Sequence, residues 1–519
     1  MISGIQEGKK LLGMSQIKKG AILSYISIFI TILIALLYTP VMIRLLGQAE
    51  YGLYALIGSV AAYFSVLDMG LGNAIVRYTS RNRAIGDKKA ESNLNGMFLI
   101  LYSIIGMLTI AIGTILYNTI DNIFAASLSA TELDKAKIMV IILIINFSLS
   151  LPLATFGSIM QAYERFVVVK IVAIIRSLAA PVIILPILFL GYGSVSMVVI
   201  TTFVNISCLL FNVFYCFKCL KINFYFGKMD FQLLKEILGY SFFVFLGVIV
   251  DQIYWNTDQF ILGTIAGTIP VAVYAIAMQF IKLYKQFSTS ISGLFLPRAS
   301  IMVANNSSSE ELTNTMIKFG RIQYIILAYI LTGFILFGQP FINLWAGSDY
   351  DNAYYITLIV MIPLTIPLFQ NFGISILYAK NLQKFRSVVL IFIAVLNIVI
   401  TIPLAQGFGG IGAAVATAIS LTIGNTIIMN IYYHRRIGIN MLLFWKNIIL
   451  MSLPMVLSLL MGIGINYIFN FENVLLMSFN ILLYSFTFTI LLWVLGLNKY
   501  EKELFSSIII KFGNLVLRR

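Results

Sequence analysis

Apolar stretches of about twenty residues, parted by short polar segments, recur along the whole chain, and about that many residues span a bilayer as a helix. The first runs from Ala21 to Ile43 without a single charge. In lipid, every backbone N–H and C=O must be paired internally, which leaves helices and closed barrels as the spanning structures. Fourteen stretches qualify as helices: 21–43, 51–72, 94–116, 137–160, 167–190, 194–217, 238–262, 270–295, 322–345, 354–377, 387–405, 411–433, 447–468 and 474–496. The expected fold is an all-α integral membrane protein. A soluble domain is excluded by composition, because only 11% of the 519 residues are charged and 60% are hydrophobic, whereas a soluble domain carries roughly 25% charged residues.

The net charge of +15 does not point to nucleic acid. Nucleic-acid binders gather their cations on one folded face; here they sit in short clusters between apolar runs. With the N-terminus placed in the cytoplasm, 29 of the 35 Lys and Arg residues fall in cytoplasmic segments, Arg298, Lys318 and Arg321 among them. Three (Arg44, Lys135 and Lys137) fall outside, and Arg176, Lys282 and Lys285 lie within helices. This bias is the positive-inside pattern of a multi-pass protein. An even number of spans puts both termini in the cytoplasm. The N-terminal cations Lys9, Lys10, Lys18 and Lys19 precede an apolar run too long for a signal peptide, so that run is read as a retained first helix.

Catalytic and metal signatures are not found. Cys216-x-x-Cys219 lacks a second ligand pair, and the single histidine is His434, so the cysteines read as unpaired thiols. Gly70-x-Gly72 lacks the third glycine and the strand context of a nucleotide fingerprint. With every loop short, function is expected inside the membrane region.

The chain carries an internal echo. Gly47-Gln-Ala-Glu-Tyr-Gly-Leu-Tyr54-Ala55 joins helix 1 to helix 2, and Gly267-Thr-Ile-Pro-Val-Ala-Val-Tyr274-Ala275 joins helix 7 to helix 8. Both read Gly-x6-Tyr-Ala, offset by 220 residues. Pro186 before Gly191-Tyr-Gly193 is matched by Pro403 before Gly407-Phe-Gly409. A six-helix period implies two parallel halves, and in transporters built this way the substrate site lies between them. The expected organisation is a cytoplasmic N-terminus (1–20), an N-lobe of helices 1–6 (21–217) and a cytoplasmic linker (218–237). A pseudo-symmetric C-lobe of helices 7–12 (238–433), an appended pair of helices 13–14 (447–496) and a cytoplasmic tail (497–519) complete it.

Charged groups at membrane depth are costly, at roughly 2.5–3.5 kcal/mol each on insertion scales, and mark functional candidates. Asp68 lies near the inner end of helix 2, where it can cap a helix or pair with Arg77; Arg176 is on helix 5. Asp251 and Asp258 lie seven apart on one face of helix 7, with Gln252 and Asn256 beside them. Lys282 and Lys285 are on helix 8, with Gln279 and Gln286 flanking Lys282. Two readings stay open: buried pairs that fix helix packing, or a polar cavity. A cationic cavity suits an anionic group such as a pyrophosphate, since low dielectric strengthens attraction. Prolines within helices, such as Pro152, Pro181, Pro363 and Pro454, add sites for kinks.

In order along the chain, four segments resemble the polysaccharide transporter branch of the multidrug/oligosaccharidyl-lipid/polysaccharide exporter superfamily, which includes the O-antigen flippases. They are Pro40-Val-Met-Ile-Arg44-Leu-Leu-Gly47-x3-Tyr51-Gly52-Leu-Tyr54, Asp68-x-Gly70-Leu-Gly72-Asn73-Ala74-x2-Arg77, Asn256-x-Asp258-x3-Leu262-Gly263 with Tyr274, and Gly407-Phe-Gly409-Gly410-x-Gly412-Ala-Ala. The resemblance covers residues 18–497. It implies a two-lobed bundle around a cationic cavity. It further implies translocation of undecaprenyl-pyrophosphate-linked repeat units from the cytoplasmic to the outer leaflet of a bacterial inner membrane, by alternating access. Substrate-binding candidates are then Lys282, Lys285, Arg176, Asp251, Asp258, Gln252, Asn256 and Gln279, with Asp68, Arg44 and Arg77 in structural or gating roles. No cofactor or metal is expected; H+ or Na+ is left open as a coupling ion. Expected partners are the lipid-linked oligosaccharide, membrane lipid, a polysaccharide polymerase and a chain-length regulator. Flipping of lipid II, and cation-coupled drug export on the same fold, are the alternatives; a membrane enzyme is disfavoured because such enzymes usually need acidic residues or a sizeable domain on the outer face, and the first outer loop offers only Arg44 and Glu50.

Overall fold

The computed structural model describes residues 2–227, 231–293, 295–468 and 474–507, with the side chains of 2–22, 25, 240, 243, 244 and 474 left out. The four N-terminal lysines, Lys228 and the tail beyond 507 therefore lie outside the described side chains. Every regular element among the described residues is helical. The helices are α1 (Ile2–Leu46), α2 (Gln48–Ser65), α3 (Leu71–Ile85), α4 (Lys88–Phe124), α5 (Ala130–Ala162), α6 (Phe166–Phe189), α7 (Ser194–Tyr215), α8 (Phe231–Ile265) and α9 (Thr268–Ser292). They continue with α10 (Phe295–Ala304), α11 (Ser309–Trp345), α12 (Asn352–Phe369), α13 (Asn371–Ala379), α14 (Gln383–Leu421), α15 (Met429–Tyr432), α16 (Met441–Ile468) and α17 (Val474–Leu491). Eleven described segments are long and apolar enough to cross a bilayer. One of them, Gln383–Ile437, has 55 residues, about 80 Å at 1.5 Å per residue, against a hydrocarbon core of about 30 Å. It is not one rod: Gly409 (φ 56°, ψ −134°) breaks it.

The uninterrupted helix expected over 51–72 is corrected. After Ser65 the chain tightens into a 3-10 turn, Val66–Asp68, and then places Met69 (φ 52°) and Gly70 (φ 69°) in the left-handed region before α3 begins. Asp68 sits at this break. It accepts a hydrogen bond from the Tyr102 hydroxyl of α4 at 2.8 Å, a partner 34 residues away that no local pattern reveals.

Two compact units divide the chain, Met1–Ala275 and Ile276–Arg519. In the first, α4 and α5 pack along each other, α5 on α7, α1 on α6 and α2 on α8. A core of Leu71, Ile75, Phe98, Tyr102 and Ile159 joins α3, α4 and α5. Glu50, in the first turn of α2, ties three helices: it pairs with Lys135 on α5 and accepts from the Ser194 backbone N–H at 3.0 Å and hydroxyl at 2.5 Å at the start of α7. A carboxylate there also complements the positive end of α7.

The echoed Gly-x6-Tyr-Ala junctions share a positive φ at their first glycine. Gly47 (φ 78°) and Gly267 (φ 81°) both take the left-handed conformation that glycine adopts without penalty, each just before a helix. The two junctions also meet: a Cβ on Gly52 would overlap the Thr268 carbonyl, so the absence of a side chain lets α2 approach the start of α9. Thr268 in turn donates to Glu132 of α5 at 2.7 Å. The second echo shares its turns less closely, with the positive φ at Gly191 in one copy and at Gly409 in the other.

In the second unit, α11 packs on α12 and α16, α12 on α14, α10 on α13 and α16 on α17. Phe337, Met451, Met455, Tyr484 and Phe488 form the core between α11, α16 and α17.

Candidate functional site

The candidates on α8 lie in the first unit and have unlike surroundings. Asp251 is exposed, whereas Asp258, two turns on, is 2% exposed and accepts a 2.7 Å hydrogen bond from Tyr274. That bond joins α8 to α9 through the tyrosine of the repeated motif. Its neighbour Thr257 pairs with the Tyr63 hydroxyl of α2 at 2.6 Å. Gln252 and Asn256, one turn apart, bond to each other at 2.7 Å. Residues 220 before Asp258 and Tyr274 are Tyr38 and Tyr54. The Tyr38 hydroxyl is buried without a hydrogen bond among the described residues, so the two copies carry different chemistry at one register.

The α9 candidates Gln279, Lys282 and Lys285 belong to the second unit. The helix is pinned there by one face. Ile281, Tyr284 and Ser288 are at most 2% exposed. Tyr284 pairs with the Thr365 hydroxyl at 2.7 Å, and Ser288 donates to the Leu368 carbonyl at 3.0 Å. Ser288 also accepts from Gln323 and Asn371, at 3.2 and 3.0 Å. At 100° per residue, Gln279, Lys282 and Gln286 fall on the opposite side. Lys282 is accordingly exposed, and Lys285 and Gln286 are half-buried. Among the described residues of its unit, the Lys282 ammonium makes no hydrogen bond or ion pair.

Arg176, on α6 of the first unit, is half-buried, and its Nε is buried without a hydrogen-bond partner among the described residues. Arg44 is exposed in the last turn of α1. Arg77, exposed on α3, holds its guanidinium 5.6 Å from the Tyr78 ring centroid. Among the described residues no three His, Cys, Asp or Glu side chains group as metal ligands, and all three cysteines are free thiols.

The pairing of one of these cations was not visible in the sequence. Arg321, counted among cytoplasmic-segment cations, is buried in α11. Its guanidinium meets Glu501 in two hydrogen bonds of 2.6 and 2.8 Å and donates to the carbonyls of Gly496 and Asn447. Glu501 belongs to helical residues 499–507, after α17, where Asn498 and Glu501 cap each other at 2.9 Å. The Asn498-x-x-Glu501 spacing resembles a capping box, which was the available signal for the helix start; nothing local signals Arg321.

Stacked apolar helices interrupted by paired polar groups define a multi-pass membrane protein. Residues 17–303 match the family model described as polysaccharide biosynthesis protein, more than half of the chain. The chain belongs to that family. It is 24% identical to the uncharacterized membrane protein EpsK of Bacillus subtilis over 435 residues, 81% of this chain and 83% of EpsK. It is 22% identical over 394 residues to an Escherichia coli protein named provisionally as an O-antigen transporter, covering 74% of this chain and 88% of that one. Among solved structures, the lipid II flippase MurJ in an inward closed conformation aligns with a TM-score of 0.70 at 17% identity, covering 91% of this chain and 97% of MurJ. An inward-facing multidrug-resistance MATE transporter aligns with a TM-score of 0.58 at 17% identity, covering 76% and 96%. The fold is therefore one shared with MurJ and with MATE transporters. These relatives and neighbours are named as transporters, flippases or membrane proteins, none as an enzyme.

Proposed function

We propose that the protein is a flippase that carries undecaprenyl-pyrophosphate-linked oligosaccharide repeat units from the cytoplasmic to the outer leaflet of the bacterial inner membrane, for assembly of surface polysaccharide. It works by alternating access of two pseudo-symmetric six-helix lobes followed by a helix pair, with fourteen spans and both termini cytoplasmic. Counting α8 and α9 as spans, and dividing Gln383–Ile437 at Gly409, is what supports fourteen. Polysaccharide polymerase and chain-length regulator act downstream of it. The observation that supports an anionic cargo is α9: one face locked into the second unit by Tyr284 and Ser288, the other presenting Lys282 without a counter-charge in that unit. An ammonium held in an apolar region attracts a pyrophosphate far more strongly than one in water. Lys285 and the unpartnered Nε of Arg176 supply further positive charge.

The test is genetic and chemical. In a deletion strain, undecaprenyl-linked repeat units accumulate on the cytoplasmic leaflet and surface polysaccharide disappears. The wild-type gene restores export, and Lys282→Ala restores less than a tenth of it at normal protein level. Accumulation of lipid II instead assigns the cargo to cell-wall synthesis. Unchanged surface glycan with raised drug sensitivity assigns drug export and refutes the proposal.

A further inference from the structure

The first unit holds a cleft at the end where Arg77, Arg81, Arg83, Lys88 and Lys89 cluster in sequence. It encloses about 170 Å³ between the end of α3, the first turns of α4, the start of α8 and the segment 225–227. Leu94 and Met97 of α4 form an apolar wall. Asn82, Ala90, Asn93, Tyr225 and Phe226 also line the cleft.

Two features separate this cleft from a gap between helices. The first is that its outer wall is fixed. Tyr225 donates its backbone N–H to the Ser92 carbonyl at 3.1 Å, and the Asn95 side chain donates to the Asn223 carbonyl at 3.4 Å. Phe224 packs between Phe156 and Phe217, at 5.5 and 5.6 Å between centroids. The backbone of Tyr225 lies so close to Gly96 that a Cβ there would overlap its carbonyl. The second is that the polar groups at the cleft are unspent. The side-chain amides of Asn82 and Asn93 and the Tyr225 hydroxyl hydrogen-bond to no described residue. The rings of Tyr225 and Phe226 stand 58% and 61% exposed rather than turning into the core.

A sugar ring has an apolar face of C–H groups and an edge of hydroxyls that both donate and accept. Aromatic and aliphatic walls suit the face; side-chain amides, which carry two donors and an acceptor, and a phenol suit the edge. A mostly apolar concavity with a few convergent polar groups is the general form of a small-ligand site. We propose that this cleft, at the cation-rich end of the first unit, is a glycan subsite that binds one pyranose ring. The role in transport rests on the flippase reading; the binding does not.

The experiment is saturation-transfer NMR on the full-length protein in detergent, with a panel of methyl hexosides and methyl N-acetylhexosaminides. At least one sugar is expected to bind wild type with a dissociation constant of about 1 mM, the weak range of a single small ligand. Phe226→Ala, and Ala90→Phe, which fills the cleft from α4, weaken that binding at least tenfold, whereas Gly58→Ala on α2, with open space around it, leaves it unchanged. Thermal melts of both cleft variants, made at exposed or half-buried positions, confirm folding. No binding by any panel sugar, or equal binding by wild type and both folded cleft variants, overturns the proposal. If sugar binds at the cleft while the deletion strain exports glycan normally, the site stands and the flippase reading falls. If export is lost on deletion but the cleft binds no sugar, the reverse holds.

Discussion

Replacing Glu501 with alanine strands the Arg321 guanidinium in the interior of the second unit. The two side chains are only 8% and 2% exposed, and they meet through Nε···Oε1 at 2.6 Å with a second bond from the guanidinium to Oε2 at 2.8 Å. Removing one member of such a pair typically costs about 3–5 kcal/mol, because a charge remains buried without its counter-charge. Two carbonyls, of Gly496 and Asn447, still accept from Arg321, which places the expected loss near the lower end, about 3 kcal/mol. Glu501→Gln keeps the volume and one acceptor and loses less. Arg321→Met combined with Glu501→Leu removes both charges and recovers most of the stability, since well-packed apolar groups replace buried pairs at little cost. Reversible unfolding of the purified protein in mixed dodecylmaltoside and SDS micelles compares these three variants with wild type, and the single variants Arg321→Met and Glu501→Leu complete a double-mutant cycle. A loss below about 1 kcal/mol for Glu501→Ala is the behaviour of a solvated surface pair, and would refute the argument that this pair fastens the post-α17 helix to α11. The Lys318 ammonium, 3.6 Å from the Tyr500 ring centroid, lies on the same contact.

Two glycine substitutions test the close approach and the break. Gly52→Ala drives a Cβ into the Thr268 carbonyl and is expected to cost about 1–3 kcal/mol as overpacking; Gly58→Ala, on the same helix with open space around it, is neutral or slightly stabilising in the same unfolding assay. Gly409→Ala meets no neighbour but must adopt φ 56°, ψ −134°, a glycine-only region costing about 1–3 kcal/mol; Gly407→Ala, where φ is not positive, serves as the neutral control, and equal stability of the two variants would show that the break is not held by this residue.

Membrane insertion and helical structure were legible in the sequence because they depend on local quantities. An apolar run of about twenty residues commits to lipid whatever surrounds it, and a helix satisfies its own backbone. The repeated junctions were legible for a related reason: Gly47 and Gly267 are needed wherever a helix restarts after a left-handed residue, and their spacing to Tyr54 and Tyr274 is a local pattern. The face carrying Gln279, Lys282 and Gln286 also followed from helical periodicity. What periodicity could not decide was which side of α9 turns inward. Tyr284 and Ser288 settle that by bonding to Thr365, Leu368, Gln323 and Asn371, residues tens of positions away.

The same division explains the surroundings of Asp68 and Arg321. At the break after Ser65, Asp68 meets Tyr102 from another helix, and the buried Arg321 meets Glu501, 180 residues later. Aspartates 251 and 258 look equivalent in sequence, seven apart on one face, yet Asp251 is exposed while Asp258 is buried and accepts a hydrogen bond from Tyr274. Hydropathy acts over neighbouring residues and is written in them. The partner of a buried polar group is chosen by packing, and only the tertiary structure brings that partner within hydrogen-bonding distance.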